Sequence, residues 1–108
     1  MNMAADWAAN RKQFGKPIGT FQATGFRLAD MAIGLRTADL LVTDAVRRAD
    51  EGKMQDMDAA MVKVYCSEML NKTADDTVQI FGGMGLMEEM PIERLWRDSR
   101  LERIWDGT

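Results

Sequence analysis

The sequence of 108 residues predicts an all-α protein, an antiparallel helical bundle formed by one domain over residues 1–108. Two observations predict this class. Along two long stretches, apolar residues recur at alternating steps of three and four, which is the spacing of one face of a helix. Alternating β-branched runs bounded by turn residues, which signal strands, do not occur in the sequence. A chain of this length has room for one modest core.

Composition narrows the function as well as the fold. The chain is 46% hydrophobic and 29% charged, with a net charge of -3 and no basic block, so it predicts no nucleic-acid binding. No apolar run approaches the roughly 20 residues that span a bilayer. The lack of histidine excludes Ser-His-Asp and Cys-His catalysis and histidine metal sites. The first residues do not resemble a signal peptide, so we expect a soluble protein of a bacterial cytoplasm or a mitochondrial matrix.

Four helices are predicted to account for nearly the whole chain. The first is expected from about Asn2 to Phe14 and the second from about Thr20 to Glu51. The third is expected to be capped by Asp56 or Asp58 and to end at about Phe81, and a short fourth helix starts at Pro91. Glycine and proline define the boundaries. The stretch from Gly15 to Gly19 breaks the first helix, Gly52 suits the end of the second, and Pro91 suits a first helical turn.

The second helix has the clearest predicted buried face. Its seam is Phe21, Thr24, Leu28, Met31, Leu35, Ala38, Val42 and Ala45. A second apolar strip lies beside the seam: Phe26, Ala29, Ile33 and Leu40. A face this wide predicts bundle partners on one side and another subunit on the other. Gly25 and Gly34 would permit close approach of a neighbouring helix.

The third helix has a predicted buried face that polar residues interrupt near its middle. The apolar members are Met57, Ala60, Met61, Val64, Ala74, Val78 and Phe81. The interrupting residues are Ser67, Glu68 and Asn71, which predict either a hydrated patch or hydrogen bonds between helices. In the fourth helix, Leu95 and Trp96 are expected to pack inward.

Four features suggest chemistry, and each has a structural alternative. In RKQFG, Arg11 could bind an anion or pair with an acidic neighbour. Gln22, in the first turn of the second predicted helix, could cap that helix or form a hydrogen bond to another helix. The glycines of GGMG, Gly82 to Gly85, could admit a flat or phosphorylated ligand or could end a helix. In DGT, Asp106 to Thr108, spacing alone favours a helix cap or a turn over catalysis.

Three longer blocks contain these features. They are RKQFGKPIGTFQ followed by RLADM, then AMVKVYCSEM, and then VQIFGGMGLMEEMPIERLWRDSRLERIWDGT. In order and at matching spacing, they resemble the R-x-x-F-G…Q…LADM block, the A-M-x-K…S-E segment and the closing signature of the C-terminal helical domain of the acyl-CoA dehydrogenase family. The resemblance runs nearly end to end, and the combination is highly specific.

The resemblance implies that the intact protein is an enzyme of fatty acid metabolism, an FAD-dependent oxidoreductase. It would convert an acyl-CoA thioester to the trans-2-enoyl-CoA, with a carboxylate taking the α-proton while the β-hydrogen leaves as hydride. It further implies a homotetramer, a dimer of dimers, with FAD across a subunit interface and electron-transferring flavoprotein as electron acceptor. The alternatives are a non-catalytic helical assembly module and a family member that acts as an enoyl-CoA-type reductase.

The resemblance also implies roles residue by residue. Arg11 matches an arginine that reaches the FAD diphosphate of the neighbouring subunit, Phe14 would pack near the cofactor, and Gln22 lies near its adenosine half. The remaining cofactor-binding positions are Gln79, Ile80, Phe81, Gly82, Gly83 and Thr108. Gly107 matches a substrate-side backbone position.

Asp106 matches the usual catalytic glutamate of an E-G-T motif and is one methylene shorter. Either the backbone compensates for that length, or the base is a glutamate upstream of this chain. By the same resemblance, the chain lacks the first turns of its first helix and a closing helix after Thr108. We therefore expect an incomplete bundle, inactive alone, whose exposed apolar face makes it associate.

Overall fold

Four α-helices alternate in direction in the computed structural model, which describes residues 1–107. They are α1 (Asn2–Asn10), α2 (Gln22–Asp50), α3 (Asp56–Phe81) and α4 (Pro91–Ser99), joined by 3-10 turns at Ile18–Thr20 and Gly82–Leu86 and followed by one at Arg100–Arg103. The prediction of an all-α helical bundle is confirmed. Among the described helices, none combines the length and apolar character that a bilayer crossing needs.

The first helix ends four residues earlier than predicted, at Asn10. The chain then forms a small antiparallel hairpin of two-residue strands, β1 (Lys12–Gln13) and β2 (Lys16–Pro17). Its turn places Phe14 at φ 54° and Gly15 at φ 80°, a left-handed pair that suits a two-residue hairpin loop. A strand of two residues is too short to show alternation, so the sequence pattern could not predict it.

Helices α2 and α3 pack antiparallel along most of their length. Arg27 on α2 pairs with the buried carboxylate of Asp76 on α3 at 2.5 Å. Seven residues further along α2, Gly34 faces Met69, which lies seven residues before Asp76 on α3. A Cβ on Gly34 would lie 3.1 Å from Met69 Cγ, so the helices approach closely there as expected. At Gly25 the same Cβ would meet no described atom within 4 Å, so the close approach expected there is not made within residues 1–107.

The turn between α2 and α3 is defined at both ends. The second helix ends at Asp50, and Gly52 follows at φ 67°, in the role predicted for it. Gln55 is the N-cap of α3, and the carboxylate of Asp58 accepts a hydrogen bond of 2.8 Å from its backbone N–H. This bond, with help from the guanidinium of Arg48, lowers the pKa of Asp58. Asp58 therefore stabilises the start of α3 from inside its first turn.

The core is small and lies where α1 meets the other helices. It is formed by Ala4, Ala8, Met31 and Ile80. Trp7 stacks on Phe81 beside this cluster, with ring centroids 4.4 Å apart. The first turn of α1 reaches a cleft lined by Ala74 and Thr77, so α1 runs parallel to the last third of α3.

Much of the apolar surface predicted to be buried is exposed. One residue per heptad of the α2 seam is buried, at Met31, Ala38 and Ala45, whereas Leu35 and Val42 are exposed. The exposed set also includes Phe26, Ala29, Ile33 and Leu40 on α2, Met57, Ala60, Met61 and Val64 on α3, and Leu95 and Trp96 on α4. On α4, Ile92 and Ser99 are buried, whereas Leu95 and Trp96, which lie on the same face at helical spacing, stay partly exposed beside α3. These helices present more apolar surface than the described chain covers.

Candidate functional site

The predicted site residues lie in two groups near opposite ends of α3. One group, here called the hairpin end, comprises residues 11–22 and 79–83. The other comprises Asp106 and Gly107, beside Lys63. At 1.5 Å per residue, the helix between Lys63 and Phe81 is about 27 Å long. The chain therefore does not bring the two groups into one pocket.

Packing through α1 holds the hairpin end together. The stack of Trp7 on Phe81 joins α1 to the end of α3. One residue further along α1, the carbonyl oxygen of Ala8 lies so near Gly19 that a Cβ there would be 3.1 Å away. The hairpin, the 3-10 turn that follows it and the first residue of α2, Gln22, thus lie beside the segment that ends α3.

The side chains at the hairpin end divide by exposure. Exposed residues are Arg11, Phe14, Gln22, Gln79, Gly82 and Gly83. Ile80 and Phe81 are buried, so a ligand at this surface could meet their backbone and not their side chains. The side chain of Phe14 is 92% exposed, and its ring lies edge-on to the ring of Phe21. The ammonium of Lys16 lies over the ring of Phe21, 4.5 Å from its centroid.

The glycines of GGMG have different structural roles. Gly82 ends α3 at φ 63° and ψ -145°, a conformation restricted to glycine. Gly85 is needed for packing, since a Cβ would lie 2.9 Å from the carbonyl oxygen of Val78. At Gly82 and Gly83 the added Cβ would meet no atom within 4 Å among the described residues, so the backbone of this pair is open on that side. The motif therefore ends a helix, as one of the two alternatives raised by the sequence has it, and binding of a ligand to the open pair stays a prediction.

A series of polar contacts, here called the C-terminal ladder, fastens the end of the chain to α3. As residue numbers rise along the C-terminal segment, they fall along α3. The contacts are Trp96 Nε1 to Asp75 Oδ1 (3.2 Å), Asn71 Nδ2 to the carbonyl of Ser99 (2.7 Å), an Arg103 guanidinium nitrogen to Glu68 Oε2 (2.6 Å), and Lys63 Nζ to the carbonyl of Gly107. Glu68 and Asn71 thus make the predicted hydrogen bonds between helices, whereas Ser67 bonds within its own helix.

Asp106 lies on an exposed loop at the far end of this ladder. Its φ is 56° and that of Gly107 is 96°, so two successive residues are left-handed. Asp106 lines a cleft of about 210 Å³ together with Lys63, Cys66, Glu102 and Trp105. Within residues 1–107 it follows a 3-10 turn and opens no helix. Thr108, predicted to lie near the flavin, is outside the described residues.

Sequence reasoning did not identify Lys63 as part of this site. A lysine on a helix with polar residues at most turns is typical of a solvent-facing position, and nothing local distinguishes it. Only the antiparallel course of the C-terminal segment along α3 brings residue 63 to residue 107. A clue existed in the position of Lys63 within AMVKVYCSEM, one of the three blocks that carry the resemblance.

The fold is a helical bundle, and the two groups of candidate site residues lie on exposed surfaces that the described residues do not enclose. The family model described as acyl-CoA dehydrogenase, C-terminal domain, matches residues 1–108. The chain belongs to the acyl-CoA dehydrogenase family.

Curated relatives and a solved structure agree with this assignment. The chain is 44% identical over 108 residues to the caffeyl-CoA reductase-Etf complex subunit CarC of Acetobacterium woodii, covering 100% of this chain and 28% of the relative. It is 42% identical over 108 residues to the mitochondrial short-chain specific acyl-CoA dehydrogenase of Bos taurus, again covering 100% of this chain and 26% of the relative. The structure of butyryl-CoA dehydrogenase from Megasphaera elsdenii matches with a TM-score of 0.96 and 39% identity over 99% of this chain and 28% of that one. The chain thus spans little more than a quarter of these proteins.

Proposed function

We propose that the protein containing this domain oxidises acyl-CoA thioesters to trans-2-enoyl-CoA with FAD, and that the domain supplies one wall of the cofactor site and the catalytic carboxylate. The observation that carries the proposal is the position of Asp106. It lies on a loop fastened to α3 by the C-terminal ladder, and in the sequence it corresponds to the glutamate of the family's E-G-T motif. The domain alone would be inactive, because its candidate site residues line open surfaces.

The hairpin end fits one side of a bound FAD. Arg11, Lys12 and Lys16 concentrate positive charge on one short hairpin, which suits a diphosphate. Gly82 and Gly83 leave open space where a side chain would otherwise stand, which lets a flat group approach the backbone. Because these groups are exposed, the rest of the cofactor would be held by another part of the protein or by a second subunit.

The residues would divide the work as follows. Arg11 binds the diphosphate, Phe14 packs against the cofactor, Gln22 contacts its adenosine half, and the backbone of residues 79–83 lines it. Thr108 would lie near the flavin and Gly107 would meet the thioester through its backbone. FAD, when bound, supplies the two-electron acceptor.

Asp106 would remove the α-proton. A thioester α-proton is weakly acidic, so the base must be placed accurately, and hydrogen bonds must stabilise the enolate-like charge. The shorter side chain of aspartate makes its placement depend on the loop backbone more than that of a glutamate would.

The same proposal includes the protein's partners. The apolar strips left exposed on α2 and α3 support a homo-oligomer, in the family arrangement a dimer of dimers. Electron-transferring flavoprotein would accept the electrons, and the protein would work in a bacterial cytoplasm or a mitochondrial matrix.

A second candidate is reduction of an enoyl-CoA-type thioester. The observation that favours it is the 44% identity to a subunit of a caffeyl-CoA reductase-Etf complex. The same geometry serves either direction, since a carboxylic acid at Asp106 would return a proton to the α-carbon.

The test is substitution of Asp106 in the full-length gene product, assayed in both directions with a panel of CoA thioesters. Asp106→Ala is expected to lower kcat by about 100-fold to 10,000-fold, the usual contribution of a general acid or base. Asp106→Glu, which restores the family residue, is the matched control and should retain activity. Turnover unchanged in Asp106→Ala would assign the base to another residue, whereas a wild type without turnover in either direction would favour a non-catalytic assembly role.

A further inference from the structure

We propose that Lys63 is a positioning residue for the reaction: by donating to the carbonyl of Gly107 it holds the loop that carries Asp106. This inference rests on the proposed function, because it assigns Asp106 the proton transfer. Lys63 touches neither the thioester nor the flavin in this scheme. It acts through the backbone next to the base.

The conformation of the loop indicates that it needs an external anchor. Asp106 has φ 56°, a left-handed value that side chains disfavour because Cβ approaches the following carbonyl oxygen. Gly107 continues in the left-handed region at φ 96°. A short segment keeps such a conformation only when its surroundings impose it.

Lys63 is the anchor that residues 1–107 provide. The last described hydrogen bonds of the backbone are local, from the amides of Ile104 and Trp105 to the carbonyl of Leu101, and the Trp105 indole bonds to Glu102 in the preceding turn. Within that range, the bond from Lys63 is the one described hydrogen bond that ties residues 104–107 to another element.

The surroundings of Lys63 suit this role. The residue is half-buried and lines the same cleft as Asp106, so its ammonium reaches the loop from the wall of the cleft. An ammonium–carbonyl bond is stronger than one between neutral groups. The contact also ends the C-terminal ladder, whose other three members already fix the course of the chain up to Arg103.

Loss of the bond should affect chemistry more than binding. Without its anchor the loop would move Asp106 away from the α-proton, and a misplacement of about 1 Å can reduce a rate on the order of 100-fold. The thioester would still bind through groups elsewhere, so KM should change little.

The experiment compares three variants of the full-length gene product. Lys63→Met removes the donor and keeps most of the stem, and Lys63→Arg keeps a cationic donor. Lys53→Met is the matched control, since it also removes one lysine charge near this end of α3, from a side chain that pairs with Glu51 on the surface. Each is measured for kcat, KM, flavin content, oligomer mass and exchange of the substrate α-proton with solvent deuterium.

The expected result is a fall in kcat and in α-proton exchange of about 10-fold to 100-fold in Lys63→Met. KM, flavin content and oligomer mass should match the wild type, and Lys63→Arg and Lys53→Met should stay within about threefold of it. The proposal is overturned if Lys63→Met keeps its kcat, or if Lys63→Arg loses as much as Lys63→Met. It is also overturned if the fall in kcat of Lys63→Met is explained by a lower flavin content or a smaller oligomer mass.

A second measurement does not depend on the reaction. Amide hydrogen exchange at Ile104 and Trp105 should be faster in Lys63→Met than in wild type and in Lys63→Arg, because the last turn opens more often without its anchor. If no thioester reacts with the wild type, the proposed function fails while this measurement still tests the anchor. Unchanged exchange in Lys63→Met would reject the anchor whatever the enzyme does.

Discussion

Gly82 and Gly83 are adjacent in one motif, yet the two positions place different demands on their backbones. Gly82 has a conformation that only glycine adopts readily, whereas Gly83 lies outside the left-handed region. A Cβ would meet no described atom at either position. Stability and ligand contact can therefore be separated by substituting them one at a time.

We predict that Gly82→Ala lowers the free energy of unfolding by about 1–3 kcal/mol, the usual cost of such a backbone outlier. Gly83→Ala should leave stability within about 0.5 kcal/mol, as surface substitutions usually do. If the cofactor lies against this pair, Gly83→Ala should nevertheless weaken FAD binding. Denaturant unfolding and flavin titration of the full-length protein measure the two effects, and unchanged flavin affinity in Gly83→Ala would argue against contact here.

Single residues were predicted with uneven success. Gly52 and Pro91 act at helix boundaries as expected, because the conformational limits of glycine and proline are local properties. The exposure of Phe14, at a left-handed φ, was not predictable, since an aromatic residue carries no local signal for that conformation. Lys63 was missed because its contact depends on a residue 44 positions away.

Among the secondary-structure elements, the start of α3 has a defined pH dependence. The carboxylate of Asp58 accepts a bond from the N–H of Gln55, and this lowers its pKa. A carboxyl group whose pKa is lower in the folded than in the unfolded protein stabilises the fold above its unfolded pKa, near 4. That contribution is lost as pH falls through the folded pKa.

We predict that Asp58→Asn lowers the melting temperature at neutral pH and reduces its further fall on acidification below about pH 4. Asp56→Asn is the matched control, because Asp56 is in the same helical turn and makes no side-chain hydrogen bond described within residues 1–107. Melting curves recorded from pH 7 to pH 2.5 give the comparison. Parallel curves for Asp58→Asn and wild type would contradict a role for this cap.

The long helices could be predicted and the short elements could not. The limits of α2 and α3 agree with the expected ones within two residues, because many apolar positions define each of them. Which helical face is buried was predicted less well: Met31, Ala38 and Ala45 are buried as expected, but Leu35 and Val42 are not. Periodicity identifies an apolar face, and it does not say whether the covering surface belongs to the same chain.

For the molecule as a whole, the exposed strip on α2 formed by Phe26, Ile33 and Leu40 is the feature to test. Its members are seven residues apart, so they follow one line along the helix. Their ion-paired neighbours on α2, Arg36 and Asp39, are exposed to solvent as well. A continuous apolar line of this kind is an expected contact for another copy of the chain.

We predict that Ile33→Lys weakens self-association of the full-length protein by roughly 10-fold to 100-fold, the equivalent of about 1.5–3 kcal/mol for one buried aliphatic side chain. Thr37→Lys, one turn along α2 and exposed, is the matched control. Light scattering over a range of concentrations gives the mass. An oligomer of unchanged mass and affinity in Ile33→Lys would exclude this strip from the interface.

The C-terminal ladder restricts the length of the chain as well as its chemistry. An extra residue between Gly82 and Met90 would lie outside the ladder and leave the spacing of its contacts along α3 unchanged. A residue deleted from α3 between Lys63 and Asp75 would rotate one end of the helix against the other by about 100° and shorten it by about 1.5 Å. The contacts on the two sides of the deletion could then no longer be made together. The number of residues between Lys63 and Asp75 therefore sets where Asp106 lies, in addition to the side chains of Glu68 and Asn71 that make the contacts.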